Sequence, residues 1–102
     1  MARVGEFAKL SPDSMKGLMM VEHSVTKSGL LDPKVMELIA LAVAVTTRCD
    51  GCISVHAKKA IELGLSREEI AQAMAFTIFM NSGAALTYTA RVFDVIDALP
   101  QS

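Results

Sequence analysis

Residues 65–70 have the sequence Leu-Ser-Arg-Glu-Glu-Ile, and this stretch decides the fold class of the chain. A serine followed three positions later by a glutamate, here Ser66 and Glu69, forms the capping box that begins a helix. Gly64 stands directly before the stretch and is the residue type that most often ends a preceding helix. Residues 64–70 therefore predict a short connection between two helices.

Similar helix signals occur on the N-terminal side of this connection. Ser11-Pro12 and Asp32-Pro33 each place a capping residue before a proline, and proline suits the first helical position. The first of these helices should end at Gly29 and the second at Thr46-Thr47, where the threonines are also expected to cap the next helix. That next helix is predicted from about Asp50 to Leu63.

Two more helices are predicted on the C-terminal side. The first runs from Ser66 to about Met80 and the second from Ala84 to about Leu99, before Pro100. Asn81-Ser82-Gly83 lies between them and predicts a break or a kink. The chain has none of the sustained alternation or tight-turn sequences of strands. The prediction is an all-α bundle of about five helices.

Length and charge restrict the class of protein. The 102 residues suffice for one domain, and ten Lys and Arg balance eleven Asp and Glu. This balance argues against binding to nucleic acid or to a membrane surface through a basic patch. The uncharged segment from Ile70 to Ala90 is long enough to span a bilayer, but its polar side chains favour a buried or interfacial pair of helix segments. The N-terminus lacks the features of a secretory signal, so we expect a cytoplasmic protein.

The apolar content of the chain bears on its assembly. Hydrophobic residues make up 52% of the sequence, and only 5% of the residues are aromatic. A domain of this size buries a modest fraction of its surface, so this much apolar surface exceeds what one copy is able to hide. We therefore expect a homo-oligomer.

The residues with the clearest chemistry lie between Glu37 and His56. Cys49 and Cys52 form a C-x-x-C pair, and His56 follows four residues later. At about 100° per residue, a helix that begins near Cys49 places these three side chains on one face. A thiol attacks as the thiolate, which a helix N-terminus and a neighbouring imidazolium both favour. Cys52 is expected to have both neighbours.

Glu37 lies on the preceding helix among apolar residues. A carboxylate in that setting is expected to be paired or protonated, and either state suits a proton relay through His56. A surface pairing of Glu37 with Lys34 is the simpler alternative. If these residues have only a structural role, the cysteines are small buried hydrophobic residues and His56 lies on a helix surface.

The same side chains also suit zinc. Cys49, Cys52 and His56 offer three ligands, with Glu37 or His23 as the fourth. A structural zinc site usually draws a second pair of ligands from a separate knuckle, and the sequence contains only two cysteines. A non-catalytic zinc-binding or oligomeric scaffold module is therefore the alternative to redox chemistry.

The pattern Glu-x11-Cys-x2-Cys-x3-His in an alanine-rich helical chain resembles the alkylhydroperoxidase D-like group of the carboxymuconolactone decarboxylase family. The resemblance covers roughly residues 32–96 and includes the stretches from Glu37 to Ala42 and from Gly64 to Ile70. It implies one all-α redox domain over residues 1–102, assembled as trimers or hexamers.

The resemblance also implies roles for individual residues. Cys52 corresponds to the attacking thiol, Cys49 to the resolving partner, and His56 with Glu37 to the proton relay. We expect an enzyme without metal or other cofactor that reduces alkyl hydroperoxides through a sulfenic acid and a Cys49–Cys52 disulfide, or exchanges with a partner's disulfide, such as that of a peroxiredoxin. Gly51 stands where the best-known hydroperoxidases carry a histidine, which weakens any expectation of the same partner or efficiency. The true decarboxylases lack the cysteine pair, so decarboxylation is not expected.

Overall fold

The computed structural model describes residues 2–101, which contain six helices and no strand. This confirms the all-α prediction. The helix before Ser11 has no counterpart among the predicted elements. In chain order the helices are α1 (Ala2–Leu10), α2 (Pro12–Ser28), α3 (Pro33–Thr47), α4 (Asp50–Glu62), α5 (Arg67–Tyr88) and α6 (Ala90–Ala98).

Helix ends follow the local sequence signals closely. Gly29 and Gly64 follow α2 and α4 with φ angles of 64° and 91°, in the left-handed region that glycine enters at low cost. Ser66 begins α5 through a complete capping box. Its hydroxyl accepts from the Glu69 N–H at 3.0 Å, while the Glu69 carboxylate accepts from the Ser66 N–H at 2.9 Å.

The capping box also affects the titration of Glu69. The hydrogen bond from the Ser66 backbone, and after it the bond with the Ser66 side chain, lowers the pKa of the Glu69 carboxyl from its ordinary 4.5. Because the folded pKa is depressed, the stabilisation is present above pH 4.5 and is lost as the pH falls through the lower folded value.

The predicted break at Asn81-Ser82-Gly83 is wrong, because α5 continues through these residues to Tyr88. Asn81 donates from Nδ2 to the Thr46 hydroxyl at 2.9 Å. The amide that favours a turn in isolation is therefore bound to α3 across the helix interface. This tertiary contact compensates for the weak helix propensity of the segment.

The predicted cap of α4 is also wrong, although α3 ends at Thr47 as expected. The hydroxyls of Thr46 and Thr47 donate to carbonyls one turn earlier in α3, at 2.8 and 2.9 Å. These hydroxyls cap no following helix. The N-cap of α4 is Cys49, whose backbone is extended.

Arg48 makes the turn between α3 and α4. Among the described residues other than glycine, Arg48 alone has a positive φ angle, which is 55°. Across this turn the Cys49 N–H donates to the Ala44 carbonyl at 2.9 Å, which closes the end of α3 in the manner of a left-handed C-cap. The strained residue therefore fixes where the C-x-x-C segment starts.

Residues 2–32 and residues 33–101 form two compact units. In the first unit α1 contacts α2, and none of the residues described in α2 is buried. In the second unit α3 packs against α4 and α5. The core of the second unit is a small cluster of Leu41, Ala60 and Leu65, surrounded by Leu38, Ala57, Ile70 and Met74.

Residues 67–98 form a helical stretch that is long and apolar enough to cross a membrane, judged by length and composition alone. The sequence predicted buried or interfacial segments here. Within the single chain, Thr77 is the one fully buried residue among those described in α5. None of the residues described in α6 is buried. Apart from Ile70 and Met74, which pack against the core cluster, most of the large apolar side chains of this stretch are exposed within the chain.

Replacing Ser66 with Ala should lower the free energy of unfolding by about 1 kcal/mol, because the Glu69 N–H loses its side-chain acceptor. Ser11→Ala is the matched control, since Ser11 precedes α2 but makes no side-chain cap hydrogen bond among the described contacts. Urea denaturation followed by circular dichroism measures both effects. Equal destabilisation by the two substitutions would contradict the capping role of Ser66.

Replacing Arg48 with Gly should raise the free energy of unfolding by about 0.5–1 kcal/mol, because glycine has no Cβ to oppose a left-handed backbone. Arg48→Ala removes the same charge and keeps the Cβ, so its stability should not rise. The two oxidised variants are compared by urea denaturation. A gain shared by both would assign the effect to the side chain rather than to the backbone.

Candidate active site

Cys49 and Cys52 form a disulfide across the first turn of α4. Their Cα atoms lie 5.3 Å apart, in the usual range for bonded cysteines. Cys49 is the N-cap, and its Sγ accepts a hydrogen bond from the Cys52 N–H at 3.2 Å. Cys49 is half-buried and Cys52 is exposed. The structure therefore holds the pair in its oxidised form, with Cys52 on the exposed side.

Glu37 and His56 form a short hydrogen bond between α3 and α4. The distance from Glu37 Oε2 to His56 Nδ1 is 2.6 Å, and the two side chains are 13% and 32% exposed. Glu37 is therefore paired, which is one of the two states expected from the sequence for a carboxylate among apolar neighbours. Charge-assisted bonds of this kind are stronger than bonds between neutral groups.

This bond determines which nitrogen of His56 is available for chemistry. An ionised carboxylate only accepts hydrogen bonds, so Nδ1 carries the proton that is shared with Glu37. In the neutral ring Nε2 then has a lone pair and is able to accept a proton. A carboxylate behind the imidazole also stabilises the positive charge that the ring gains. The pair is thus arranged as a base and the group that orients it.

The position of His56 on α4 connects this base with the cysteines. His56 follows Cys52 by one helical turn, the spacing at which side chains on a helix are neighbours. Cys52 itself lies in the first turn, where unpaired backbone N–H groups favour negative charge. The structure thus places the four predicted residues on two packed helices: Glu37 on α3, Cys52 and His56 on α4, and Cys49 at the N-cap of α4.

The described residues contain no group of three or more His, Cys, Asp and Glu side chains arranged to hold a metal ion. In this oxidised form the two sulfurs are bonded to each other, and His56 Nδ1 is bonded to Glu37. His23 belongs to the unit formed by residues 2–32, where it lines a groove along α2 with Met15, Met19 and Met20.

Two features that border the site were not predicted from the sequence. The left-handed backbone of Arg48 positions the N-cap cysteine, and the bond between Asn81 and Thr46 joins α5 to the last turn of α3. Arginine carries no sequence signal for a positive φ angle. The bond of Asn81 likewise had no sequence signal, because it depends on the packing of α5 against α3.

The sequence profile of the carboxymuconolactone decarboxylase family matches residues 12–94 of this chain. An uncharacterised protein of Haemophilus influenzae is 44% identical over 90 residues, which cover 88% of this chain and 80% of that protein. An uncharacterised protein of Cupriavidus necator is 33% identical over 95 residues, which cover 93% of this chain and 84% of that one.

Solved structures show the same similarity. A carboxymuconolactone decarboxylase family protein from Legionella pneumophila has a TM-score of 0.69 at 33% identity, covering 94% of this chain and 86% of its own. A protein from Methanobacterium thermoautotrophicum has a TM-score of 0.75 at 29% identity, covering 85% of this chain and 98% of its own. The cysteine pair and the Glu37–His56 bond both lie inside the segment that matches the profile, and the chain belongs to the carboxymuconolactone decarboxylase family.

Proposed function

We propose that this protein is a thiol-dependent oxidoreductase in which Cys49 and Cys52 cycle between a dithiol and a disulfide. The observation that carries the proposal is the combination of the Cys49–Cys52 bond with the Glu37–His56 pair on the adjoining helix. An activated thiol requires a base, and that base requires a group that orients it. Both are present: His56 follows the exposed Cys52 by one helical turn, and Glu37 on α3 is bonded to His56.

In the proposed reaction with a hydroperoxide, His56 Nε2 accepts the proton of the Cys52 thiol. The thiolate attacks the terminal peroxide oxygen, so that an S–O bond forms and the O–O bond breaks. The alkoxide leaves and takes up the proton from His56 as an alcohol. Cys52 is then a sulfenic acid and has been oxidised by two electrons.

Cys49 completes the cycle as the resolving thiol. Its sulfur attacks the sulfenic acid sulfur of Cys52, a disulfide forms and water leaves. One hydroperoxide and two thiols thus give one alcohol, one water and one disulfide. A dithiol reductant then restores both thiols by exchange, in which the thiolate of the reductant attacks one of the two sulfurs.

The same pair suits exchange with another protein. Cys52 is exposed, so a disulfide of a partner such as a peroxiredoxin is able to approach it. Attack by the Cys52 thiolate gives a mixed disulfide, and Cys49 releases the reduced partner by forming the Cys49–Cys52 bond. In this direction the protein is the reductant of its partner. We place this chemistry in the cytoplasm, where dithiol reductants are abundant.

Cysteine substitutions test the proposal. Cys52→Ser should abolish hydroperoxide consumption in the presence of dithiothreitol. Cys49→Ser should permit the first oxidation of Cys52 and then leave a sulfenic acid or a mixed disulfide, identified by intact mass. Full turnover by Cys52→Ser would contradict the assignment of the nucleophile.

The reactivity of the reduced protein separates this proposal from a zinc-binding module. Alkylation by iodoacetamide should be faster at Cys52 than at Cys49. Elemental analysis of the same protein should find no stoichiometric zinc. Thiols that become reactive only after chelation would favour the zinc module. Equally slow alkylation of both cysteines, with or without chelator, would contradict both interpretations.

Replacing Glu37 with Gln should slow the oxidation of Cys52 by on the order of tenfold or more, because the imidazolium loses the carboxylate that stabilises it. Glu62→Gln is the matched control, since Glu62 is an exposed carboxylate on α4 that pairs only loosely with Lys58, at 3.9 Å. The rate of single-turnover oxidation is measured as a function of pH. An identical pH profile for Glu37→Gln and the wild type would remove Glu37 from the relay.

A further inference from the structure

One candidate metal ligand from the sequence has no part in the redox site. The sequence offered His23 as a fourth zinc ligand beside the cysteines, but His23 belongs to the unit formed by residues 2–32. There it lines the groove along α2 together with Met15, Met19 and Met20. The groove has a volume of about 770 Å³. It therefore brings together three thioether side chains and one imidazole, and both of these groups bind metal ions.

Helical spacing groups three of these side chains closely. His23 follows Met19 by four residues and Met20 by three, so it lies one helical turn beyond both. Viewed down the axis of α2, His23 is about 40° from Met19 and about 60° from Met20, on the side between them. These are the spacings at which two ligands on one helix bind the same ion. Met19, Met20 and His23, called here the α2 cluster, are therefore placed to share one ion, and Met15 lies one turn before Met19.

The donor atoms of the α2 cluster distinguish among metal ions. Thioether sulfur is a soft, uncharged ligand that selects Cu(I), and imidazole suits copper as well. Magnesium and calcium require oxygen ligands, and structural zinc sites use thiolate, imidazole and carboxylate groups. The acidic residues of α2, Asp13 and Glu22, are not among the side chains that line the groove. The donor set therefore favours a soft ion over a hard one.

The charged residues of the groove favour an ion of low charge. Lys16 and Lys27 line it on either side of the α2 cluster, three residues before Met19 and four residues after His23. Ammonium groups repel a divalent cation twice as strongly as a monovalent one at the same distance, because the Coulomb energy is proportional to the charge of the ion. A monovalent soft ion therefore fits the groove better than zinc or Cu(II).

An organic ligand is a poorer occupant of this groove than an ion. Met19 and Met20 are 53% and 73% exposed, so much of the lining is open to water. Sites for organic ligands enclose most of the ligand surface. An ion needs only the few donor atoms that reach it, and the flexible, unbranched methionine side chain adapts to the distance required. The open groove therefore suits a metal ion held by side chains of one helix.

We propose that the α2 cluster is a binding site for a monovalent soft metal ion, which is Cu(I) under physiological conditions. The ligands are the two thioether sulfurs of Met19 and Met20 and one ring nitrogen of His23. The proposal rests on the donor set, spacing and charge of the groove along α2. It is independent of the Cys49–Cys52 pair and of the redox function.

Titration of the full chain with Ag(I) tests the site, because Ag(I) has the charge and softness of Cu(I) and needs no reductant. Thiols also bind soft ions, so both cysteines are replaced by Ser. Calorimetry in nitrate buffer should give one ion per chain. The NMR signals of the Met19 and Met20 methyl groups should shift on saturation, whereas that of Met74, which packs against the core cluster, should not.

Substitutions identify the ligands. Met20→Leu preserves the size and apolar character of the side chain and removes its sulfur, so the dissociation constant for Ag(I) should rise on the order of tenfold or more. His23→Leu should raise it at least as much. Met80→Leu is the matched control, since Met80 is similarly exposed, at 54%, and has no histidine three or four residues away. Leucine is a good helix former, and circular dichroism verifies that each variant is folded.

The outcomes are distinct. A chain that binds no Ag(I) at micromolar concentrations overturns the proposal, and so does an equal loss of affinity in Met20→Leu and Met80→Leu. The oxidised wild-type chain, whose two sulfurs are bonded to each other, replaces the serine variant if that variant fails to fold. Cu(I), supplied anaerobically as its acetonitrile complex, should shift the same methyl signals. Unchanged signals with Cu(I) overturn the assignment of that ion.

Discussion

The hydrogen bond between Glu37 and His56 is the constraint on which the candidate site depends. It joins α3 and α4 through chargeable side chains, next to a core that consists of a few aliphatic residues. A carboxylate that is 13% exposed is stable there because the imidazole N–H satisfies it. The same contact sets the imidazole tautomer, so packing and the proposed proton transfer depend on one pair of atoms.

Local signals were sufficient for most helix ends. The glycines at positions 29 and 64, the proline at position 33 and the capping box at Ser66 act through neighbours in sequence, and the structure has each of them where the sequence places it. Such features need no knowledge of the fold, because their hydrogen bonds close within one helical turn. The prediction that Cys49, Cys52 and His56 share one face likewise rests on helical periodicity, and the structure has α4 begin directly after Cys49.

Features that depend on distant partners were not predictable. Asn81 has a strong local preference for turns, and only its bond to Thr46 explains why α5 continues through it. Thr47 was expected to cap α4, but its hydroxyl bonds back to α3 and leaves Cys49 as the cap. For Glu37 the sequence offered Lys34 and His56 as partners, and its bond to His56 required the packing of α3 on α4. In each case a contact between elements decided among local alternatives.

The small core has a consequence for how folding and assembly are related. The buried hydrophobic residues of the described chain are Leu41, Ala44, Ala60 and Leu65, and two of these are alanines. So small a core gives little hydrophobic stabilisation, whereas Phe76, Phe79 and Phe93 of α5 and α6 are more than 60% exposed. The homo-oligomer expected from the sequence would gain stabilisation by burying them. Stability should then increase with protein concentration, because association draws the equilibrium toward the folded chain.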